Sequence, residues 1–423
     1  MLINKLTLTN FRAYAQAEFE FKQGLNLLVG INGVGKTSVL DALRVCLSVI
    51  YPNITETKHR KERFKESDIK IGADYLQVSC DFTYLSTNYN LLIVKRKKSY
   101  VINETDNIRE QTSETPDQEV FTPQIKLTTK KFSELAQDPI GVFYSTKRSL
   151  ITGKASSKAA AQGGQAAAHA EALSGEREFN LRLFAEWYKV QEKLAEERPQ
   201  ILQYNAALRG AVETFLPHFS NLHIVDIDDT PQFFIEKNGV PLSILQLSDG
   251  ERGVLSMVLD IAKRLSQANP VLANPLQDGN GIVLIDELDL HLHPKWQRSI
   301  VYNLARTFPN CQIIATTHSP QIIGEVKPEF ITVIDNEIFK PASSYGIDSS
   351  RVLEEVLDTP ARNKEVDALL ELLYKSIDDE KLEAAKEQIA KLIVILGPND
   401  PEITRSTTMI DFLEDDLSDE ANK

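Results

Sequence analysis

Gly30-Ile31-Asn32-Gly33-Val34-Gly35-Lys36-Thr37 places a lysine and a hydroxyl directly behind a glycine-rich turn, a combination suited to holding phosphate. The run fits the pattern of Gly, four residues and then Gly-Lys-Ser/Thr. Backbone N–H groups without side-chain bulk can surround phosphate oxygens, Lys36 can reach the terminal phosphates, and the Thr37 hydroxyl can help hold Mg²⁺. Far downstream, Asp286 and Glu287 form an adjacent carboxylate pair behind the apolar run Ile282 to Ile285. At the carboxyl end of a buried strand, Asp286 can hold the same Mg²⁺ through water, and Glu287 can position and polarise an attacking water. Ser248 and Gly250, within Leu247-Ser248-Asp249-Gly250-Glu251-Arg252, offer a hydroxyl and an unobstructed helix N-terminus, which suit a γ-phosphate. His318 ends a strand-like run, where it can sense that phosphate.

Such residues act together only if elements carry them to one place. Leu25 to Val29 is a short apolar strand pattern, and Val39, Leu40, Leu43 and Leu47 recur at helical spacing after the loop. Strand, loop and helix in that order set a helix N-terminus against the phosphates. Val254, Leu255, Val258 and Ile261 give Ser248 a helix to cap, and Gln312 to Thr317 reads as the strand that delivers His318. Taken singly, a Ser-Asp-Gly is an ordinary turn or cap and a lone histidine is unremarkable. Their order and completeness carry the reading.

In that order the motifs resemble the ABC-type ATPases, and within them the SMC/RecF-like, non-transporter branch. The resemblance labels 30–37 as Walker A, 247–252 as the signature, 281–287 as Walker B, Asp289 as the D-loop and His318 as the switch histidine. It implies catalytic roles for Glu287, His318 and Lys36, and metal contacts from Thr37 and Asp286. Nucleotide contacts are implied for Asn32, Gly33, Gly35, Lys36, Thr37, Ser38, Ser248, Gly250 and Asp289. The opening Leu6-Thr7-Leu8-Thr9-Asn10-Phe11-Arg12-Ala13-Tyr14 is similar to the first strand of that branch, which implies that Arg12 approaches the nucleotide. More narrowly, Leu-Ser-Asp-Gly-Glu-Arg, the run 286–294, Phe184-Ala185-Glu186-Trp187-Tyr188 and Tyr345 to Leu353 resemble ATPases of Septu-type and retron-associated anti-phage systems. No Q-loop glutamine is assigned.

The implied fold is α/β, an ABC-type P-loop ATPase head split by a helical insertion and followed by a C-terminal α-helical extension. ATP and Mg²⁺ are the implied ligands. In such ATPases the signature of one subunit closes over nucleotide on the P-loop of another. One copy of each motif therefore implies a homodimer or a higher even-numbered homo-oligomer, with Ser248 and Gly250 acting in trans.

The 423 residues suffice for a large core and two or three structural units. No stretch reaches the roughly 18 consecutive apolar residues of a membrane span. The chain opens on an alternating strand pattern rather than a signal peptide. Cys46, Cys80 and Cys311 are scattered, which fits a reducing cytoplasm. His291 and His293 make a poor metal site for want of nearby partners. The net charge of −13 argues against a surface that binds nucleic acid throughout. Two local basic runs, 58–65 and 95–98, read either as solvated faces or as tracks for a phosphate backbone, so a DNA contact stays open.

Four segments are expected. Residues 1–150 form a strand-rich N-terminal lobe with Walker A, in which 104–118 reads as loop. Residues 151–219 hold an Ala/Gly/Ser/Gln-rich flexible segment and a short helical arm, with Phe179, Leu183, Phe184, Trp187 and Val190 on one stripe. Residues 220–345 form the C-terminal lobe with signature, Walker B and switch histidine. In 346–423, Val366, Leu369, Leu370, Leu373 and Ile377 make one helical stripe and Leu382, Ala385, Ile389, Leu392 and Ile393 another. A third helix, Pro401 to Leu413, precedes an acidic tail. This last segment either packs on the ATPase lobe or docks a partner. Sustained heptads are absent, which excludes a long coiled-coil arm.

Neither a TOPRIM-type set of acidic ligands nor an HNH-like histidine cluster is recognisable. The expectation is therefore an ATPase that does not itself cut nucleic acid. It would be the regulatory or scaffold subunit of an anti-phage complex controlling a separate nuclease, of HNH type or, as a close variant, TOPRIM type. The alternatives are a RecF-like DNA-repair clamp and a scaffold that barely turns ATP over.

Overall fold

A computed structural model describes residues 1–55, 61–97, 99–102, 108–111, 117–123, 138–146, 165–175, 181–195, 197, 199–216, 218–228, 230–335 and 337–421. The Ala/Gly/Ser/Gln-rich stretch expected to be flexible lies largely outside them, as do Phe179, residues 58–60 and Lys98. The chain divides into two units, Met1–Val352 and Leu353–Lys423.

In the first unit, apolar runs become buried strands because a parallel sheet is covered on both faces. β3 (Leu25–Val29), β9 (Ile140–Tyr144), β13 (Gly281–Ile285) and β14 (Cys311–Thr317) are buried along their whole length. With β15 (Ile331–Ile334) and β16 (Ile338–Phe339) they form a six-stranded sheet of order β16-β15-β3-β14-β13-β9, parallel except at the β15–β16 edge. The register sets Val29 beside Thr317 and Ala315 beside Ile285. The loops that follow β3, β14 and β13 therefore emerge side by side, at the carboxyl ends where open α/β sheets bind ligands.

The second sheet is antiparallel, of order β2-β1-β4-β5-β8, from β1 (Leu2–Phe11), β2 (Tyr14–Glu20), β4 (Tyr75–Tyr84), β5 (Thr87–Arg96) and β8 (Gln118–Thr122). Its strands alternate, so Leu76, Val78, Cys80 and Phe82 of β4 face the core. Between the two sheets runs α1 (Lys36–Ile54), in contact with β4 and β5 on one side and β9, β13 and β14 on the other. Its Val39, Leu40, Leu43 and Leu47 are fully buried. The chain just after the glycine-rich loop is thus the middle layer of the core.

β6 (Ser99–Ile102) and β7 (Ile108–Gln111) make a small hairpin, so part of the stretch expected as loop at 104–118 is strand. Strand preference depends strongly on context, and composition alone conceals strands this short. α2 (Gln165–His169), α3 (Leu181–Ala195) and α4 (Pro199–Phe215) follow. Phe184 and Tyr188 of α3 are buried against Phe233, whereas Val190 is exposed and lies off that stripe.

β10 (Phe219–Ile227), β11 (Thr230–Lys237) and β12 (Val240–Ser243) form a third, antiparallel sheet. Then come α5 (Asp249–Ala268), α6 (Pro275–Asp278), α7 (Pro294–Thr307), α8 (Pro320–Ile323) and α9 (Ser349–Glu355). No helix among the described residues is long and apolar enough to cross a membrane.

The second unit has its own core. Val366, Leu370, Leu373 and Ile377 of α10 (Lys364–Asp378) meet Ala385, Ile389 and Leu392 of α11 (Leu382–Leu396) and Ile403 and Ile410 of α12 (Pro401–Ala421). α12 extends past Leu413 into the acidic stretch, since no Gly or Pro stops it. Lys386 pairs with Glu414 across the bundle.

Candidate nucleotide site

Gly35 precedes α1 with φ 106°, and no side chain caps that helix. The first turn of α1 carries no acidic residue either, so its N–H groups and positive dipole end are left for an anion. Gly30, Gly33 and Gly35 all have positive φ. At Gly35 a Cβ would also lie 2.7 Å from the Tyr14 hydroxyl, which is tucked under the loop and donates to Val34 O at 3.4 Å. The cradle thus closes only with glycine there. Burial pushes the Tyr14 hydroxyl far above its usual pKa, so it stays a donor.

Lys36 Nζ donates to Gly30 O at 2.6 Å and to Ile31 O at 2.8 Å. Burial lowers its pKa, against the pull of Asp286, Asp289 and Glu287, so the three carboxylates lie within electrostatic range of the ammonium. Thr37 Oγ1 donates to Asp286, 3.1 Å from each carboxylate oxygen. A hydroxyl beside a buried carboxylate is a hard-oxygen pair of the kind that suits Mg²⁺. The glycine cradle, the lysine and this pair together fit a magnesium-bound polyphosphate.

Two threonines at the end of β14 organise the carboxylates. Thr316 Oγ1 donates to Asp286 Oδ1 at 2.7 Å and accepts the Glu287 N–H at 2.7 Å. Thr317 Oγ1 donates to Asp289 Oδ1 at 2.6 Å, and His318 Nε2 lies 3.4 Å from Asp289 Oδ2. Glu287 is held at φ 50°, a left-handed conformation that a non-glycine residue adopts at some cost. The turn after β13 is therefore bent to a set shape, anchored by its neighbour strand. In the sequence Thr316 and Thr317 read only as strand residues. Two hydroxyls closing the apolar run Ile313-Ile314-Ala315 were the available signal.

Arg12 has φ 50°, and its backbone N–H donates to Asp68 O. Its guanidinium donates to Asp41 at 2.8 Å, Asp68 at 2.9 Å and Ser38 Oγ at 3.3 Å. The structure thus sets Arg12 beside the first turn of α1, held by two carboxylates that the sequence did not single out. Asn32 and Gly33 lie exposed at the crest of the loop.

Ser248 and Gly250 stand elsewhere. Ser248 caps α5: its N–H and hydroxyl donate to Glu251 Oε2 at 2.9 and 2.8 Å, and its Oγ accepts the Glu251 N–H. A Cβ on Gly250 would lie 2.2 Å from His291 O, so α5 begins in direct contact with the turn that follows Walker B. Both residues find their partners in this turn and in α5 itself, not in the glycine-rich loop. His293 caps α7, its Nδ1 accepting the Lys295 N–H. In the basic runs, Lys61 pairs with Glu119 and Lys95 with Asp117, each at 2.7 Å.

Comparison with known proteins supplies a family and several relatives. Residues 25–324 match the family described as "AAA domain, putative AbiEii toxin, Type IV TA system". The chain is 29% identical to the Retron Ec83 probable ATPase of Escherichia coli, over 97% of this chain and 87% of that protein. It is 27% identical to the Retron Vc95 probable ATPase of Vibrio cholerae serotype O1 biovar El Tor, over 89% and 83%. To the Septu protein PtuA of Bacillus thuringiensis it is 24% identical, over 95% and 96%.

Proposed function

The chain belongs to this AAA-domain family, and from that premise we propose that it is an ATPase subunit of a retron- or Septu-type anti-phage system. The observation that carries the reading is the convergence of Lys36, Thr37, Asp286, Glu287, Asp289 and His318 at the carboxyl ends of three adjacent parallel strands. Lys36 and the α1 N-terminus bind the terminal phosphates of ATP. Thr37 and Asp286 would hold Mg²⁺, which when bound supplies charge neutralisation at those phosphates. Glu287 orients the attacking water and accepts its proton, and His318 donates toward the terminal phosphate.

Ser248 finds its partner in Glu251 of its own helix and Gly250 abuts the turn that follows Walker B, which supports a site completed by the signature of a second copy. The working unit is then a homodimer or larger even-numbered assembly. ATP holds the pair closed, and hydrolysis releases it. The separately folded helical unit Leu353–Lys423 is the docking platform for a nuclease effector, of HNH type or TOPRIM type.

The test uses the intact gene cluster in a host challenged with phage. Lys36→Ala and Glu287→Gln are each expected to abolish protection and ATP turnover. Native mass spectrometry of the tagged wild-type chain, with and without ATP, is expected to return an even-numbered oligomer carrying a nuclease. Normal protection by both mutants would overturn the reading. A wild-type chain that came down with DNA alone would favour a DNA-repair clamp instead.

A further inference from the structure

The N-termini of α1 and α5 differ in charge. The first turn of α1 has no acidic residue, whereas that of α5 carries Asp249 and Glu251. Carboxylates stabilise a helix start through the dipole, but they repel a polyphosphate brought to the same place. Both are matched by cations. Asp249 pairs with Arg252 of its own turn. Glu251 is buried, with 4% of its surface exposed, and its Oε1 accepts from Lys237 Nζ at 2.6 Å while Oε2 accepts from Ser248.

Lys237 comes from outside the motif. It ends β11, just before the Asn238-Gly239 turn, and its ammonium also lies 5.2 Å from the centre of the Phe219 ring. Burial of Glu251 would by itself favour the neutral acid. Its pKa nonetheless lies below the ordinary value because Lys237 and the two Ser248 donors outweigh that burial. The carboxylate that holds Ser248 is therefore charged, and one cation from a separate sheet balances it.

We propose that Lys237 is a positioning residue for the signature, cancelling the charge of Glu251 so that the start of α5 can receive the terminal phosphate of ATP bound to a second copy. The inference rests on the composite-site reading above. Lys237 touches neither nucleotide nor metal. It acts through Glu251, which in turn sets the Ser248 hydroxyl. Without Lys237, Glu251 presents an uncompensated negative charge at the mouth of the site, and charges so placed act mainly on the association of like-charged partners.

A double-mutant cycle tests this on the full-length chain, with ATP-driven self-association in the Glu287→Gln background followed by analytical ultracentrifugation. Lys237→Ala is expected to weaken that association about tenfold, an effect of one uncompensated charge near phosphate. Lys237→Arg is expected to preserve it. The decisive arm is Glu251→Gln with Lys237→Ala, in which the penalty disappears because no charge is left to cancel. A thermal melt of each variant separates folding from association, since a purely structural salt bridge would move the melt and leave the rescue absent. An additive cycle, with Lys237→Ala as damaging in the Glu251→Gln background as in the parent, overturns the proposal. Failure of the protein with Lys237 intact to self-associate with ATP would instead overturn the composite-site reading.

Discussion

Replacing Thr316 with valine keeps the shape of a fully buried side chain and deletes one hydroxyl. That hydroxyl is the node between Walker B and its neighbour strand: it donates to Asp286 Oδ1 and accepts the Glu287 N–H, both at 2.7 Å. A hydrogen bond to a charged group contributes about 1.5–3 kcal/mol, and a buried N–H stripped of its acceptor costs about 1–3 kcal/mol. The sum is about 2.5–6 kcal/mol, lowered toward its smaller end where the two residues' other contacts compensate. Asp286 would also lose a fixed orientation, and support of this kind for a metal ligand is worth about 10–100-fold in activity. Urea unfolding followed by tryptophan fluorescence reads the first effect cleanly, because Trp187 and Trp296 both lie in the Met1–Val352 unit and Leu353–Lys423 has none. Thr316→Ser is the control, since it keeps the hydroxyl and loses only a methyl, at about 1 kcal/mol. A valine variant within about 0.5 kcal/mol of the parent, the range of an uneventful surface change, and with unchanged ATP turnover would refute the reasoning.

Gly250→Ala sets a Cβ 2.2 Å from the His291 carbonyl, which is backbone and has little room to yield. The expected cost is about 1–3 kcal/mol in the same fluorescence assay, together with loss of turnover as α5 is pushed off the Walker B turn. The acid limb of stability should carry the Glu251 signature. Its folded pKa lies below the ordinary 4.5, so the stability it contributes is complete above that pH and is lost as pH falls through the folded value. Glu251→Gln should flatten that portion of the limb in urea midpoints measured across it. An unchanged slope would show that the pairing with Lys237 and Ser248 contributes nothing to folding.

What could be read from sequence follows from the range of the interactions involved. β3, β13 and β14 are buried on both faces, so each contains an apolar run (Leu27–Val29, Ile282–Ile285 and Ile313–Ala315), and the motif residues follow where those runs stop. The helical stripes of α10 and α11 were legible for a similar reason: one face packs and the other is wet. Thr316 escaped notice because threonine is also an ordinary strand residue, and only the pairing of β13 with β14 sets its hydroxyl beside Asp286. Lys237 and Asp68 gave no signal at all. Their importance comes from meeting Glu251 and Arg12 in space, and a single charged residue carries no periodicity. The hairpin of β6 and β7 was hidden because its four-residue strands are too short for alternation to announce.

The donors that the ATPase reading assigns to phosphate or metal already have acceptors within the chain. Lys36 rests on the Gly30 and Ile31 carbonyls, Thr37 on Asp286, Ser248 on Glu251 and Arg12 on Asp41 and Asp68, while His318 stands beside Asp289. Nucleotide binding is then an exchange of hydrogen bonds, and each exchanged bond nets only about 0.5–1.5 kcal/mol. No single exchange of that size would by itself drive a change of state. On the composite-site reading proposed above, a ligand that engages Lys36 and Thr37 alone leaves Ser248 held by Glu251, and the phosphate presented by a second copy is what changes that last set of partners. On that reading closure requires both halves at once, and weak individual exchanges would add up to a two-state response. The same logic explains why charge balance at Glu251 matters. With so small a margin per contact, one uncompensated carboxylate at the start of α5 is comparable to the gain from the contact it obstructs.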